Sequence, residues 1–152
     1  MQSTSDAKRI LAVDDEPDVL AVLEAEIKAE WPNWKVEKAT TYEEADKMLK
    51  SNEYDLVILD IMGVKGFDLL ETAVSRKFRV AMFTAHAMNL EALKRSYDAG
   101  AYAYIPKEKL GEMASYLSIA LTYDHEPGWR ELLGRLEVYF NDKFAPGWKS
   151  TL

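Results

Sequence analysis

Residues 10–15 read Ile-Leu-Ala-Val-Asp-Asp, a compact apolar run that ends in two carboxylates. A run of this kind is typical of a strand that is buried on both faces of a sheet. Pro17 follows at a position where a helix can begin, because the first helical residue does not need its N–H. Apolar residues then recur at helical spacing from Leu20 to Trp31. This stretch therefore predicts a buried strand that leads directly into a helix.

The same order of strand and helix recurs four more times before residue 124. The predicted strands are residues 10–13, 34–38, 56–59, 79–84 and 102–105. A segment with helical periodicity follows each strand, and the second such segment opens with Thr41 and Glu44 at capping-box spacing. Alternating strands and helices pack as a parallel sheet with helices on both faces. We therefore predict an α/β fold with a doubly wound five-stranded parallel sheet.

The composition of the 152-residue chain excludes several classes of protein. Hydrophobic residues make up 48% and charged residues 30%, which is typical of a globular domain rather than a disordered chain. The 26 acidic residues exceed the 19 basic ones, and the resulting net charge of −7 argues against direct DNA binding. The chain lacks cysteine, which excludes disulfides, zinc-thiolate sites and thiol nucleophiles.

Targeting and membrane signals are absent from the sequence pattern. Residues 1–9 are polar and carry no apolar run of signal-peptide length. No stretch of the chain approaches the ~20 apolar residues that cross a bilayer. We therefore expect a cytoplasmic protein that makes no membrane contact.

Polar side chains lie at the carboxyl ends of four of the five predicted strands. They are Asp14 and Asp15, Asp60, Thr84, and Lys107. Each has an ordinary structural explanation when taken alone; acidic residues before a helix, for example, are favoured by the helix dipole. In a parallel sheet, however, the carboxyl ends of the strands share one edge, where ligands bind. We therefore expect these five residues to converge.

Three carboxylates at one edge predict a cation. They would repel one another and raise one another's pKa unless a positive charge lay among them. Oxygen ligands without histidine or cysteine suit a hard ion, and Mg²⁺ in particular shares its coordination shell with phosphate. A carboxylate beside Mg²⁺, with an amine and a hydroxyl close by, is a reasonable phosphoryl acceptor, because phosphoryl transfer depends mainly on positioning and charge neutralisation.

Four motifs together resemble the receiver domain of two-component response regulators. They are residues 10–17 (Ile-Leu-Ala-Val-Asp-Asp-Glu-Pro), Asp60 after an apolar strand, Thr84-Ala85, and residues 100–107 (Gly-Ala-x-x-Tyr-Ile-x-Lys). The resemblance covers residues 8–123. It implies the flavodoxin-like strand order 2-1-3-4-5. It also implies a signalling protein rather than an enzyme, and because only residues 124–152 follow the resemblance, we expect it to be stand-alone.

The resemblance implies a role for each residue at the sheet edge. Asp60 would accept a phosphoryl group from a histidine kinase or a phosphotransfer protein. Lys107 would pair with the phosphoryl oxygens, and Thr84 would bond the phosphoryl group and shift on activation. Tyr104 would be the switch aromatic that turns inward with Thr84. The downstream partner would be a protein that the sequence does not identify.

The resemblance also implies the ligands of one Mg²⁺ ion. Asp15 and Asp60 would bind the ion directly, and Asp14 would bind it through a water molecule. Met62 would offer its backbone carbonyl. His86 lies two residues after Thr84, and we interpret it as a solvent-facing loop residue rather than as a metal ligand.

Two departures from the family pattern bear on the site. The loop of residues 61–66 (Ile-Met-Gly-Val-Lys-Gly) is shorter than usual and lacks proline. Glu108 stands where the family has a proline after the lysine, and Pro106 precedes Lys107 instead. The altered loop keeps open a degenerate receiver that serves as a binding module without phosphate. A further alternative is an aspartate-nucleophile phosphatase, although Met62 occupies the position at which such enzymes need a second acid.

Residues 124–152 form a predicted amphipathic helical extension, which is too short for a DNA-binding output domain such as a winged helix and is not basic. A proline- and glycine-containing joint spans residues 123–128, and residues 145–147 end the helix. One apolar stripe recurs at helical spacing and consists of Trp129, Leu132, Leu133, Leu136 and Phe140. Two alternatives follow for this stripe: it packs back on the receiver, or it forms a homodimer or partner contact.

Overall fold

The computed structural model describes residues 7–85 and 89–151. Within these residues, five parallel strands form one sheet in the order β2-β1-β3-β4-β5. Their bounds are β1 Arg9–Val13, β2 Lys35–Ala39, β3 Leu56–Asp60, β4 Arg79–Thr84 and β5 Ala103–Pro106. The predicted fold class and strand order are confirmed.

Seven α-helices accompany the sheet in the described part of the chain, and they cover both of its faces. Their bounds are α1 Pro17–Glu30, α2 Tyr42–Ser51, α3 Gly66–Ser75, α4 Leu90–Asp98, α5 Met113–Thr122, α6 His125–Arg135 and α7 Glu137–Lys143. Two 3₁₀ helices lie at Lys107–Glu112 and Trp148–Thr151. None of the described helices is long and apolar enough to cross a membrane.

The central strands are almost completely buried and support the residues at the carboxyl edge of the sheet. All five residues of β3 are buried, as are four of the five in β1 and five of the six in β4. Full burial of a Leu, Ile or Val side chain contributes about 1.5–3 kcal/mol relative to leaving it exposed. The strands are therefore rigidly packed, and the residues that follow them are held at defined positions.

Local signals begin the helices where the sequence predicts. Pro17 is the first residue of α1. Thr41 caps α2, because its hydroxyl accepts a hydrogen bond from the Glu44 amide at 3.2 Å, while the Glu44 carboxylate accepts one from the Thr40 amide. Asn89 caps α4 in the same way, through the Ala92 amide. Two of these three side-chain signals, Pro17 and the Thr41–Glu44 pair, are readable from residue spacing alone.

A polar network away from that carboxyl edge links β1, β2 and Tyr54, which precedes β3. Glu37 accepts hydrogen bonds from Arg9 Nε at 2.6 Å and from the Tyr54 hydroxyl at 2.8 Å. Burial by itself raises the pKa of Glu37, but these two hydrogen bonds, the charge of Arg9 and the contact with Lys35 together outweigh it, and the pKa is lowered from its ordinary value. Burial together with Glu37 raises the pKa of Tyr54 to about 12.

Two predicted helix boundaries are wrong. The fifth helix does not run from Leu110, because a 3₁₀ helix occupies Lys107–Glu112 and α5 begins only at Met113. The final helix does not begin after a joint at residues 123–128, because α6 begins at His125 and contains Pro127 in its first turn. A proline is tolerated there, since no intrahelical N–H bond is lost.

The predicted final helix is also divided in two. Leu136 leaves helical geometry, with φ −102° and ψ 8°, and separates α6 from α7. Gly134 lies just before the break, and glycine is among the poorest helix formers. The end of the helical region near residues 145–147 agrees with the prediction, since α7 ends at Lys143.

The apolar stripe of the extension packs against the receiver. Four of its members are fully buried and belong to the main core, namely Trp129, Leu132, Leu136 and Phe140. Leu133 is half-buried and packs against this core. The Trp129 indole N–H donates a 2.7 Å hydrogen bond to the Ala101 carbonyl, just before β5. These four side chains pack against other residues of the same chain and present no exposed surface to a partner. Residues 8–123 and 124–152 thus share one core, and the boundary between them stays a prediction.

Candidate functional site

The residues predicted to converge at the sheet edge do so. Asp14 and Asp15 follow β1, Asp60 ends β3 and Thr84 ends β4. Lys107 follows β5. Because β1, β3, β4 and β5 are successive neighbours in the sheet, these five residues lie at one edge. Asp14, Asp15 and Asp60 form one group there, and Lys107 contacts two of its members. Two of the carboxylates are almost inaccessible, since Asp14 is 1% and Asp60 4% exposed.

The three carboxylates form a compact group of oxygen ligands. One oxygen from each of Asp14, Asp15 and Asp60 lies within 4.8 Å of the other two. An octahedral Mg²⁺ ion with bonds of about 2.1 Å separates its oxygen ligands by about 3 to 4 Å. The group is therefore compact enough to surround one such ion, through direct or water-bridged contacts. Both the geometry and the all-oxygen donor set fit Mg²⁺.

The Lys107 ammonium lies between two of these carboxylates. Its Nζ atom is 2.6 Å from Asp14 Oδ2 and 3.6 Å from Asp60 Oδ1. Burial alone lowers the pKa of Lys107, but the contact with Asp14 and the charge of Asp60 outweigh it and raise the pKa. The amine is therefore protonated at neutral pH and acts as a fixed positive charge rather than as a base.

Glu16 is a neighbour of the site that the sequence did not assign. Its Oε1 atom lies 3.5 Å from Lys107 Nζ, and its amide donates a 2.9 Å hydrogen bond to Asp14 Oδ1. The amide contact fixes the orientation of the Asp14 carboxylate. The only sequence signal for this role is the position of Glu16 directly after the acidic pair.

Negative charge exceeds positive charge around Asp60. Burial and the neighbouring Asp14 raise the pKa of Asp60 to about 6, although Lys107 and a hydrogen bond from the Met62 backbone oppose the rise. Asp15 adds a smaller contribution in the same direction as Asp14. A buried carboxylate with such a pKa is stabilised in its charged form by any cation that enters the group.

The loop after Asp60 approaches the site closely enough to require glycine. Gly63 has a φ of +85°, and a Cβ atom there would lie 2.5 Å from Asp15 Oδ2. A Cβ atom at Gly66 would lie 2.2 Å from the Asp60 carbonyl. Met62 directs its side chain outward, where it is 57% exposed, while its backbone stays near Asp60. The shorter loop thus still lines the acidic group.

Thr84 and Tyr104 lie on the adjacent strands β4 and β5, and both are fully buried. Thr84 is in register with Pro106, the residue before Lys107. The Tyr104 hydroxyl donates a 3.4 Å hydrogen bond to the carbonyl of Asn89, the cap of α4. Burial raises the pKa of Tyr104. The Tyr104 ring is therefore already directed inward. His86, which the sequence places after Thr84, lies outside the described residues.

The fold is a doubly wound α/β domain that carries an acidic group and a lysine at the carboxyl edge of its sheet, and comparison with known proteins gives its family. The model of the response regulator receiver domain matches residues 10–117, and the chain belongs to this family. Receiver domains are signalling domains of two-component systems. They interact with histidine kinases or phosphotransfer proteins and bind Mg²⁺ at an acidic cluster.

Individual relatives agree with this assignment. Over 109 residues, the chain is 36% identical to a gliding motility regulatory protein from Myxococcus xanthus, a match that covers 68% of this chain and 14% of that protein. The chain thus spans a small part of that relative.

Solved structures show the same architecture. The response regulator TrrA from Thermotoga maritima, solved in complex with Mg²⁺ and BeF, is 32% identical with a TM-score of 0.64, covering 75% of this chain and 99% of that one. A CheY-like receiver domain protein from Methanospirillum hungatei is 27% identical with a TM-score of 0.60, covering 91% of this chain and 97% of that one.

Proposed function

We propose that this chain is a response regulator that accepts a phosphoryl group on Asp60 and signals through phosphorylation-dependent protein contacts. The donor is a histidine kinase or a phosphotransfer protein. The observation that carries the proposal is the convergence of Asp60 with Asp14, Asp15 and Lys107 at one edge of the sheet. Two buried carboxylates beside one another repel, and this cost to stability favours a role in binding a cation or a phosphoryl group.

In the proposed reaction, an Asp60 carboxylate oxygen attacks the phosphorus atom of a phosphohistidine. A P–O bond forms as the P–N bond breaks, and the imidazole leaves with the bonding electron pair and takes up a proton. Lys107, 3.6 Å from Asp60 Oδ1, neutralises charge on the transferred oxygens. Thr84 bonds the phosphoryl group, and Tyr104 responds to its movement as the switch aromatic.

Asp15 and Asp60 would hold Mg²⁺ directly, Asp14 through a water molecule, and Met62 through its backbone carbonyl. The ion supplies positive charge to the phosphoryl oxygens. The residues of the chain contribute position: Glu16 orients Asp14 through its amide, and the Gly63 backbone leaves room for Asp15. The net charge of −7 disfavours DNA, so we place the partners of the chain among proteins of the cytoplasm.

The experiment is to incubate the chain with acetyl phosphate and Mg²⁺ and to measure intact mass. We expect one phosphoryl group per wild-type chain and none on Asp60→Ala. Asp98→Ala, which removes an exposed carboxylate on α4, is the matched control and retains the adduct. BeF with Mg²⁺ gives a second, non-covalent test of the same site.

Other outcomes identify the alternatives. A wild-type chain that stays unmodified in excess donor and Mg²⁺ overturns the proposal and favours the degenerate, binding-only receiver. Sustained release of phosphate from organic phosphomonoesters overturns it in favour of a phosphatase. The exposed apolar side chain of Met62 supports the signalling role, because it cannot serve as a general acid.

A further inference from the structure

Tyr139 of α7 contacts the chain immediately after Lys107. Its hydroxyl donates a hydrogen bond to Glu108 Oε1. The Lys109 ammonium lies 5.8 Å from the centroid of the same ring. The two residues that follow Lys107 are therefore both in contact with one side chain of the C-terminal extension. Glu108 is also the residue that stands in place of the family's proline.

The segment that Tyr139 contacts is weakly held by its own backbone. It is the 3₁₀ helix Lys107–Glu112, which begins without a side-chain cap hydrogen bond. Lys109 leaves helical geometry inside it, with φ −97° and ψ 19°. Because 3₁₀ hydrogen bonds are poorer than those of an α-helix, contacts from outside the segment matter for its position.

Tyr139 itself has a firm anchor in the neighbouring Phe140. The two rings meet edge to face at 5.4 Å, and the buried Phe140 ring stacks on Phe144 at 5.1 Å. Phe140 also lies 6.3 Å from the Tyr104 ring. Burial and the Glu108 carboxylate both raise the pKa of Tyr139, so its hydroxyl stays protonated and able to donate at neutral pH.

We propose that Tyr139 is a positioning residue for phosphoryl transfer, which holds Glu108 and thereby keeps the Lys107 ammonium between Asp14 and Asp60. The inference rests on the proposed function of Asp60 and extends it to the C-terminal extension. Nζ of Lys107 lies 1 Å closer to Asp14 than to Asp60, at 2.6 Å against 3.6 Å. A small backbone displacement therefore changes which carboxylate the ammonium favours.

The test compares four variants of the full chain with one control. Tyr139→Phe removes only the hydroxyl and keeps the ring against Lys109. Glu108→Ala removes the acceptor from an exposed position, and the double variant combines both changes. Glu108→Gln retains an acceptor oxygen for the hydroxyl. Tyr123→Phe is the control, because its exposed ring lies beyond the far end of the ten-residue helix α5.

Two measurements are made on each variant. The first is the rate constant of phosphorylation by acetyl phosphate at saturating Mg²⁺. The second is the chemical shift of the Lys107 side chain in ¹³C-lysine NMR spectra without phosphate donor. An effect on the overall fold alone would move the urea midpoint but not the Lys107 resonance.

We expect Tyr139→Phe and Glu108→Ala each to lower the rate constant by about three- to tenfold, in line with the loss of one ordinary hydrogen bond whose acceptor is exposed to solvent. The double variant should be no slower than either single variant, because both remove the same contact. Both single variants should shift the Lys107 resonance in the same direction. Glu108→Gln and Tyr123→Phe should stay near the wild type.

Multiplying effects in the double variant overturn the proposal, as does a wild-type Lys107 resonance in Tyr139→Phe. Failure of the underlying function gives a different result. A wild-type chain that takes up no phosphoryl group refutes the role of Asp60, while the Lys107 resonance still decides whether Tyr139 positions the lysine.

Discussion

Replacement of Asp60 by asparagine should stabilise the metal-free protein at neutral pH. The substitution keeps the shape of the side chain and removes one of the three carboxylate charges near the Lys107 ammonium, which are those of Asp14, Glu16 and Asp60. The pKa of Asp60 is about 6, against an ordinary value of 3.8. Since each pKa unit corresponds to about 1.4 kcal/mol, the charged form of Asp60 destabilises the fold by about 3 kcal/mol.

The pH dependence of this difference has a defined sign. A carboxyl group whose folded pKa is raised binds its proton more tightly in the native state. The stability that it contributes is present below pH 3.8 and is lost as the pH rises through about 6. Asp60→Asn should therefore match the wild type at pH 4 and exceed it by about 1–3 kcal/mol at pH 8. The lower end applies if the Lys107 contact with Asp60 is also lost.

The assay is urea unfolding in EDTA between pH 4 and pH 8, followed by tryptophan fluorescence. Asp98→Asn, on the exposed face of α4, is the control and should change stability by less than about 0.5 kcal/mol. Added Mg²⁺ should narrow the gap, because an ion that binds only the native state stabilises the wild type more strongly. A variant less stable than the wild type at pH 8 in EDTA, or a pH-independent gap, would refute the electrostatic reasoning.

Three further predictions follow from packing, backbone geometry and charge. Leu132→Ala should cost about 2–5 kcal/mol in urea unfolding without changing the mass in solution, whereas Val138→Ala, at a residue 84% exposed, should cost less than about 0.5 kcal/mol; a dissociated oligomer would instead assign the stripe to an interface. Gly63→Ala should weaken Mg²⁺ binding in titration calorimetry by about tenfold or more, because the new Cβ atom displaces Asp15 and the residue is strained at φ +85°; wild-type affinity would contradict this. Glu37→Gln should lower the free energy of unfolding at pH 7 but not at pH 3. The reason is that the lowered pKa of Glu37 contributes stability that is lost as the pH falls below 4.5. An equal loss at both pH values would count against this explanation.

The order of strands and helices was predictable because its signals are local. Compact apolar runs such as residues 56–59 identify buried strands, and Thr41 with Glu44 marks a helix start within four residues. The convergence of Asp14, Asp60 and Lys107 was predictable for a related reason. Once the strands are parallel, residues that follow them must share one edge of the sheet.

Boundaries and long-range contacts were not predictable in the same way. The start of α6 at His125 depends on a proline that fits equally into a joint or into a first helical turn. The apolar stripe of the extension was compatible with two alternatives, packing on the receiver or contact with a partner. Periodicity shows that an apolar face must be covered, but it does not show which surface covers it. Only long-range contacts decide between the two alternatives, such as the hydrogen bond that Trp129 donates to Ala101, 28 residues away in the chain.

By itself, therefore, the sequence determined the α/β class, the sheet edge that carries the acidic residues, and the family to which they point. Tertiary structure alone decided how these residues act on one another. Three contacts illustrate this: Lys107 with Asp14 at 2.6 Å, Lys107 with Glu16, and Tyr139 with Glu108. Each joins residues that are far apart in the chain. Local spacing records which residues lie on a face, whereas distances between side chains are set by the packing of the whole core.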